Sequence, residues 1–173
     1  VGTKKQAKDI VREAAEKIGQ PYVTERWIGG MLTNSQTITQ QIKKLKNLEK
    51  RMGSGDLEKR YSKLEVQRFQ EEIDVLNSRY GGIKDLMGKP GAVVVVDAAV
   101  DANAVREANV LGVPVFGVVD TNVNPTDVTY VVPGNDDAIK GLQLLLDYFA
   151  QAVAEGAGSV KKADEKPVKK EEK

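Results

Sequence analysis

The stretch Ala92-Val93-Val94-Val95-Val96-Asp97 decides the fold of this 173-residue chain. An unbroken run of apolar, mostly β-branched residues predicts a strand buried on both faces, as in a parallel sheet. Asp97 marks the carboxyl end of that strand. A helix is predicted over about Ala102 to Leu111, closed by Gly112. The stretch therefore predicts the beginning of a β-α-β unit.

The same alternation continues toward the C-terminus. Residues 113–119 predict a second buried strand, followed by Asp120-Thr121-Asn122, and residues 129–132 predict a short third strand. The next helix is expected to carry Asp136-Asp137 in its first turn, where carboxylates suit the helix dipole, and to end at Gly156. Strands alternating with helices predict an α/β fold, a Rossmann-like three-layer domain with a parallel sheet.

A helical insertion is predicted before this sheet. Its first helix has an apolar seam at spacings of 4, 3, 3 and 4, formed by Ile38, Ile42, Leu45, Leu48 and Met52. After a break at residues 52–56, a second helix is expected over residues 57–80. We predict an antiparallel coiled-coil hairpin over residues 33–80, projecting from an α/β domain of residues 1–32 and 81–156. Residues 157–173 are predicted to be a disordered charged tail.

The first residues have the pattern of a strand end that leads into a helix. Val1-Gly2-Thr3-Lys4-Lys5 precedes an apolar stripe over residues 6–18, which stops at Gly19 before Pro21. A strand end implies a preceding part of the strand. We therefore expect the sequence to be a fragment that lacks its N-terminal portion.

Composition restricts the chemistry. The chain has no cysteine and no histidine, which excludes disulfides, thiol nucleophiles and imidazole bases. No apolar run approaches the ~20 residues of a membrane span, so no membrane partner is expected. Residues 1–52 carry 11 Lys/Arg against 5 Asp/Glu, whereas residues 53–173 carry 15 against 20. This asymmetry indicates an anionic partner on one side of the molecule.

Three polar segments are expected at the carboxyl ends of strands, where such sheets bind ligands: Gly2-Thr3-Lys4-Lys5, Asp97-Ala98-Ala99 and Asp120-Thr121-Asn122. The first suits a phosphate, from a nucleotide or from RNA, but lacks the spacing of a nucleotide-binding loop. Asp97 and Asp120 have the chemistry of an acid–base pair or of metal ligands, yet short polar residues there commonly cap turns. No nucleophile–base pair can be assembled, so an enzyme is not predicted.

The segment Arg26-Trp27-Ile28-Gly29-Gly30-Met31-Leu32-Thr33-Asn34 holds the only tryptophan of the chain. A cation, an aromatic ring and flexible glycines suit contact with RNA, and an indole also suits packing. The position between the domain and the hairpin favours a Trp27 that packs, with Arg26 and Asn34 facing RNA. The lysines at 43, 44 and 46 are either a solvated face or phosphate contacts.

Four motifs in this order resemble a known family: Val1-Gly2-Thr3-Lys4-Lys5-Gln6-Ala7, residues 26–34, Asp120-Thr121-Asn122, and Pro133-Gly134-Asn135-Asp136-Asp137-Ala138-Ile139. The chain is similar from Val1 to about Gly156 to the ribosomal protein S-two family of the small ribosomal subunit, in its bacterial or organellar form. The resemblance implies a Rossmann-like domain with a coiled-coil hairpin, and no enzymatic activity.

The resemblance also implies partners. Members bind small-subunit ribosomal RNA near the junction of head and body, contact other small-subunit proteins and help to anchor ribosomal protein S-one for translation initiation. A cytoplasmic or organellar ribosome is the expected location. No cofactor, metal or small-molecule substrate is expected. The residues expected at the RNA interface are Thr3, Lys4, Lys5, Arg26, Trp27, Thr33, Asn34, Lys43, Lys44 and Lys46.

Two alternatives stand beside this hypothesis. One is a Rossmann-like domain that binds a small phosphorylated ligand and dimerises through the hairpin. The other is a coiled-coil adaptor, which the size of the predicted α/β core disfavours.

Overall fold

The protein contains a parallel β-sheet. The computed structural model describes residues 1–86 and 88–164, with side chains as far as residue 157. Within those residues the strands are β1 (Val93–Val95), β2 (Val115–Val119) and β3 (Tyr130–Pro133), in the order β1-β2-β3. Both neighbouring pairs are parallel. The α/β class and the three predicted strands are confirmed.

Helices cover both faces of the sheet. One apolar cluster joins the helix α5 (Ala102–Val110) to the sheet through Val95, Val105 and Val115. Another joins α1 (Lys8–Lys17) and α6 (Ile139–Asp164) to the opposite face through Val11, Val118 and Leu142. The sheet therefore lies between two helical layers. The α-helices of the described residues are α1 (Lys8–Lys17), α2 (Ser35–Gly53), α3 (Asp56–Arg60), α4 (Lys63–Tyr80), α5 (Ala102–Val110) and α6 (Ile139–Asp164).

Val1 lies beside β1. Its amino group donates to the Val94 carbonyl at 2.7 Å, and its own carbonyl accepts from the Val96 N–H at 3.0 Å. In a parallel pair of strands, one residue bonds to two residues of the neighbouring strand that are two positions apart, as Val1 does with residues 94 and 96. Val1 thus extends the sheet next to β1, as the strand-end prediction requires.

The long helices α2 and α4 pack against each other. Buried Ile38, Leu45 and Leu48 of α2 belong to one cluster with Ile73 and Leu76 of α4. The predicted seam of the first helix is therefore the packed face. The same cluster includes Val23, Met31 and Ile83, so the helix pair is continuous with the α/β part of the molecule.

The prediction of one helix over residues 57–80 is wrong. The chain forms the short α3, becomes extended at Tyr61 and begins α4 at Lys63. Ser62 caps α4: its hydroxyl accepts from the Glu65 N–H, and the Glu65 carboxylate accepts from the Ser62 N–H. This reciprocal capping box starts a new helix and separates it from α3.

The last helix differs from its prediction at both ends. It begins at Ile139, after a turn in which the Asn135 side chain accepts from the N–H groups of Asp137 and Ala138. It continues past Gly156 to Asp164, since a lone glycine costs only about 1 kcal/mol in a helix. The predicted disordered tail is thus helical up to Asp164, and residues 165–173 lie outside the described residues. None of the described helices is long and apolar enough to cross a membrane.

Candidate nucleic-acid interface

The segment of residues 26–34, here called the 26–34 loop, is fixed by a residue that sequence reasoning missed. Glu107 of α5 accepts five hydrogen bonds from it, the shortest at 2.7 Å from the Gly30 N–H. The other donors are Trp27 Nε1–H, the N–H groups of Leu32 and Thr33, and the Thr33 hydroxyl, at 3.0–3.2 Å. A single carboxylate therefore ties the loop to the α/β domain.

The electrostatics of this contact keep Glu107 ionised. Burial by itself raises the pKa of the carboxyl, but the N–H groups of Gly30 and Leu32 and the indole of Trp27 outweigh burial. The net result is a pKa below the ordinary value for glutamate. A charged acceptor makes stronger hydrogen bonds than a neutral one. No local sequence signal marks Glu107, because its partners lie 74–80 residues away along the chain.

The loop divides its side chains between the interior and solvent. Trp27 is half-buried, packs against the cluster between α2 and α4, and donates its indole N–H to Glu107. This agrees with the packing interpretation of Trp27. Arg26 and Asn34 are exposed, and Asn34 immediately precedes α2 without a side-chain capping bond. Arg26 at the beginning of the loop and Asn34 at the start of α2 are therefore both accessible to a partner.

Lys4, predicted to contact phosphate, lies instead among carboxylates. Its Nζ is 3.2 Å from Asp97, 2.8 Å from Asp136 and 2.7 Å from Asp137. We call these four residues the Lys4 cluster. Asp97 and Asp136 are buried, 1% and 2% exposed. The ammonium predicted to meet RNA thus already has three anionic partners within the protein.

The carboxylates of the Lys4 cluster respond differently to burial. Burial raises the pKa of Asp97, but the backbone N–H of Val100 and the ammonium of Lys4 reverse the shift, and the pKa is lowered overall. Burial dominates at Asp136, whose pKa is raised. Its Oδ2 is buried and has no hydrogen-bond partner within the described part of the chain. Hydrogen bonds to Asp136 and Asp137 raise the pKa of Lys4.

Thr3 is also engaged within the protein, whereas Lys5 is not buried. The Thr3 hydroxyl donates to Asp101 at 2.8 Å, and its N–H donates to the other oxygen of the same carboxylate at 3.1 Å. Lys5 is exposed. Of the three residues predicted at this strand end, the structure therefore leaves Lys5 as the side chain directed to solvent.

Helix α2 carries the basic surface that the sequence indicated. It contains five Lys/Arg residues and one acidic residue, whereas α4 contains three and four, respectively. Lys44 pairs with Glu72 and Lys46 with Asp85, while exposed Lys43 and Lys50 have no ion pair with a described residue. An open depression of about 380 Å³ follows this face, lined by Lys43, Lys44, Asn47, Leu48 and Arg51.

The strand-end aspartates do not form an acid–base pair. Asp97 accepts from the Ala99 and Val100 N–H groups, and Asp120 accepts from the Thr121 N–H at 2.6 Å. Asp97 thus caps the turn that follows its strand, and Asp120 bonds locally to the residue that follows it, as the simpler of the two interpretations expects. Among the described residues, no group of three acidic or other typical ligands is arranged to hold a metal ion.

A larger depression does not support a small phosphorylated ligand. Its volume is about 480 Å³, and it lies between α1, residues 22–25 and the end of α4, with Arg12 and Arg79 alongside Glu16, Glu25 and Asp74. This lining has mixed charge and lies away from the carboxyl ends of the strands. Lys4, the cation that such a ligand would need, is paired with carboxylates.

An α/β domain with an attached pair of long helices, one of them basic, is the class of protein that this geometry defines. The sequence model described as Ribosomal protein S2 matches residues 1–156. The chain belongs to the ribosomal protein S2 family. The family resemblance predicted from the four motifs is confirmed.

A curated relative agrees with this assignment. The chain is 45% identical over 156 residues to the protein named Small ribosomal subunit protein uS2 of Fusobacterium nucleatum subsp. nucleatum. The match covers 90% of this chain and 63% of that relative, so the chain spans less than two thirds of the relative's length.

Proposed function

We propose that this chain is a structural part of the small ribosomal subunit that binds small-subunit ribosomal RNA through α2 and the 26–34 loop. The supporting observation is the set of exposed cations on one continuous segment. Arg26 precedes α2, and Lys43 and Lys50 lie on it without ion pairs to described residues. At 1.5 Å per residue, Lys50 is roughly 22 Å along the helix from Ser35. A surface of that length spans several phosphates.

The proposal divides the predicted interface residues into two groups. Lys5, Arg26, Asn34, Lys43, Lys44 and Lys46 are exposed and are retained as RNA contacts. Thr3 and Lys4 are assigned to internal bonding, because they are only partly exposed and their polar atoms bond to buried carboxylates. Trp27 and Thr33 hold the loop through Glu107.

We also propose the domain organisation that the sequence indicated. In it, α2 and α4 form a coiled-coil hairpin within residues 33–80, attached to a Rossmann-like domain of residues 1–32 and 81–156. The packing of α2 on α4 and the two helical layers around the sheet support this division.

The RNA proposal is tested by the salt dependence of binding. The 173-residue chain is titrated onto a small-subunit ribosomal RNA fragment at several salt concentrations, with fluorescence anisotropy as the readout. Because bound Lys and Arg release counterions, the logarithm of affinity should fall linearly with the logarithm of salt concentration. Affinity that is independent of salt would refute the electrostatic part of the proposal.

A pair of variants locates the surface. Lys43→Ala/Lys50→Ala should reduce the salt slope by about 1 for each phosphate that the protein no longer neutralises. Lys63→Ala/Lys140→Ala removes the same charge from exposed positions on α4 and α6 and should change the slope less. Equal effects from the two double variants would show that net charge, and not the α2 surface, controls binding.

The partners beyond RNA rest on the family resemblance. We propose contacts with other small-subunit proteins and support for the docking of ribosomal protein S-one, on a cytoplasmic or organellar ribosome. Small subunits reconstituted with and without the full-length protein should differ in S-one content. Equal content would contradict that part of the proposal.

A further inference from the structure

We propose that Glu107 is the positioning residue of the RNA interface: it touches no RNA, but its carboxylate holds the 26–34 loop in the conformation that presents Arg26 and Asn34. This inference deepens the proposed function and depends on RNA binding by α2 and the loop. The loop is joined to α5 by Glu107, across at least 74 residues of sequence.

The two carboxylate oxygens divide the loop between them. Oε1 accepts from Trp27 Nε1–H and the Gly30 N–H, and Oε2 accepts from Leu32 and from both donors of Thr33. The loop's own backbone hydrogen bonds are those from Met31 N–H to Ile28 and from Asn34 N–H to Gly30. Glu107 therefore satisfies more donors of the loop than the loop satisfies itself.

The conformation that Glu107 holds is costly without it. Gly30 has a φ of +88°, in the left-handed region, and the N–H groups of residues 30, 32 and 33 converge on one anion. N–H groups that converge carry partial positive charges, and an anionic acceptor between them stabilises this arrangement. Removing the carboxylate would leave the converging donors without an acceptor, and the loop would move. Arg26 and Asn34 would then lose the placement that the loop conformation gives them.

The sign of the effect on RNA affinity separates positioning from electrostatics. Glu107 is a negative charge next to a surface that binds a polyanion, so its removal should raise affinity if charge alone mattered. Positioning predicts a fall. Glu71→Gln is the matched control, because Glu71 is exposed on α4 and its hydrogen bond is to Gln67 of the same helix.

The experiment measures binding of the 173-residue chain to the small-subunit RNA fragment for the wild type, Glu107→Gln and Glu71→Gln. The loss of even one hydrogen bond to a charged acceptor makes a loss of at least about tenfold the expected result for Glu107→Gln. Glu71→Gln should leave affinity equal or slightly higher. Unchanged or higher affinity in Glu107→Gln, with helical content retained by circular dichroism, would overturn the inference.

A double-mutant cycle tests whether Glu107 acts through the loop. If it positions Arg26, then Arg26→Ala should weaken RNA binding by a smaller factor in the Glu107→Gln background than in the wild type. Equal factors in both backgrounds would overturn the positioning role. A wild type that does not bind RNA, or binds independently of salt, would instead refute the proposed function.

The single tryptophan provides a readout without RNA. Trp27 is bonded to Glu107, so acrylamide should quench its fluorescence more strongly in Glu107→Gln than in the wild type. If Glu107→Gln fails to fold, Thr33→Val removes one of the five bonds and should give a smaller increase in quenching. No increase in quenching for a folded variant would contradict the role of the carboxylate in holding the loop.

Discussion

Replacement of Lys4 by methionine should destabilise the protein strongly and in a pH-dependent way. Methionine keeps the aliphatic stem and removes the ammonium, which leaves Asp97 and Asp136 buried without their cation. Asp97 keeps two backbone N–H donors, whereas the buried Oδ2 of Asp136 has no hydrogen-bond partner among the described residues. Breaking a buried pair in this manner costs about 3–5 kcal/mol.

Protonation sets an upper limit to that cost. Protonation of Asp136 removes the unpaired buried charge. Protonating a carboxylate of ordinary pKa about 3.9 costs roughly 4 kcal/mol at pH 7, at 1.36 kcal/mol per pH unit. The same protonation costs about 1.5 kcal/mol at pH 5. The Lys4→Met variant should therefore lose about 3–4 kcal/mol at pH 7 and about half of that or less at pH 5.

Urea unfolding followed by circular dichroism measures both values. A loss of 3–4 kcal/mol corresponds to roughly 6–16 °C in Tm for a chain of this size. Lys5→Met is the control, because Lys5 is the exposed neighbour and should change stability by no more than about 0.5 kcal/mol. A Lys4→Met loss below about 1 kcal/mol, or a loss that is equal at both pH values, would refute the reasoning.

Two further predictions concern other contacts. Gly82→Ala should cost about 1–3 kcal/mol, since the new Cβ would collide with the Tyr22 carbonyl oxygen; Gly91→Ala, with open space around it, should be near neutral in the same urea experiment. The lowered pKa of Glu107 means that its contribution to stability is present above the ordinary glutamate pKa of about 4.3 and is lost as pH falls through the lower value in the folded protein. Trp27 fluorescence should thus stay constant from pH 7 to pH 5 and change only below about pH 4, and a midpoint above pH 5 would contradict the ionised Glu107.

The sheet and the long helices could be predicted because their signals are local. The valine run at 92–96 contains β1, and the apolar seam that begins at Ile38 is the face that α2 packs on α4. The division of the second helix also had a local signal, the Ser62-x-x-Glu65 capping box, which the apolar stripe obscured. Helices and strands that are determined by neighbouring residues can therefore be predicted from the sequence.

The site residues could be predicted only in part, because their partners are distant in sequence. A lysine after a strand end suits phosphate and suits carboxylates equally well, and only the fold brings Asp97 and Asp136 to Lys4. Glu107 is one acidic residue in a helix, and its role depends on a loop 74–80 residues earlier. Residue types indicated the chemistry, but the tertiary contacts decided which groups stay exposed.

The Lys4 cluster also sets an order of events during synthesis. Lys4 and Asp136 are 132 residues apart, and a ribosome that adds about 5–20 residues per second makes the second on the order of 10 s after the first. The contact between Lys44 and Glu72 spans only 28 residues. The pair of helices α2 and α4 can therefore pack before the aspartates that bind Lys4 have been synthesised. The α/β part folds later, once the C-terminal segment has been made.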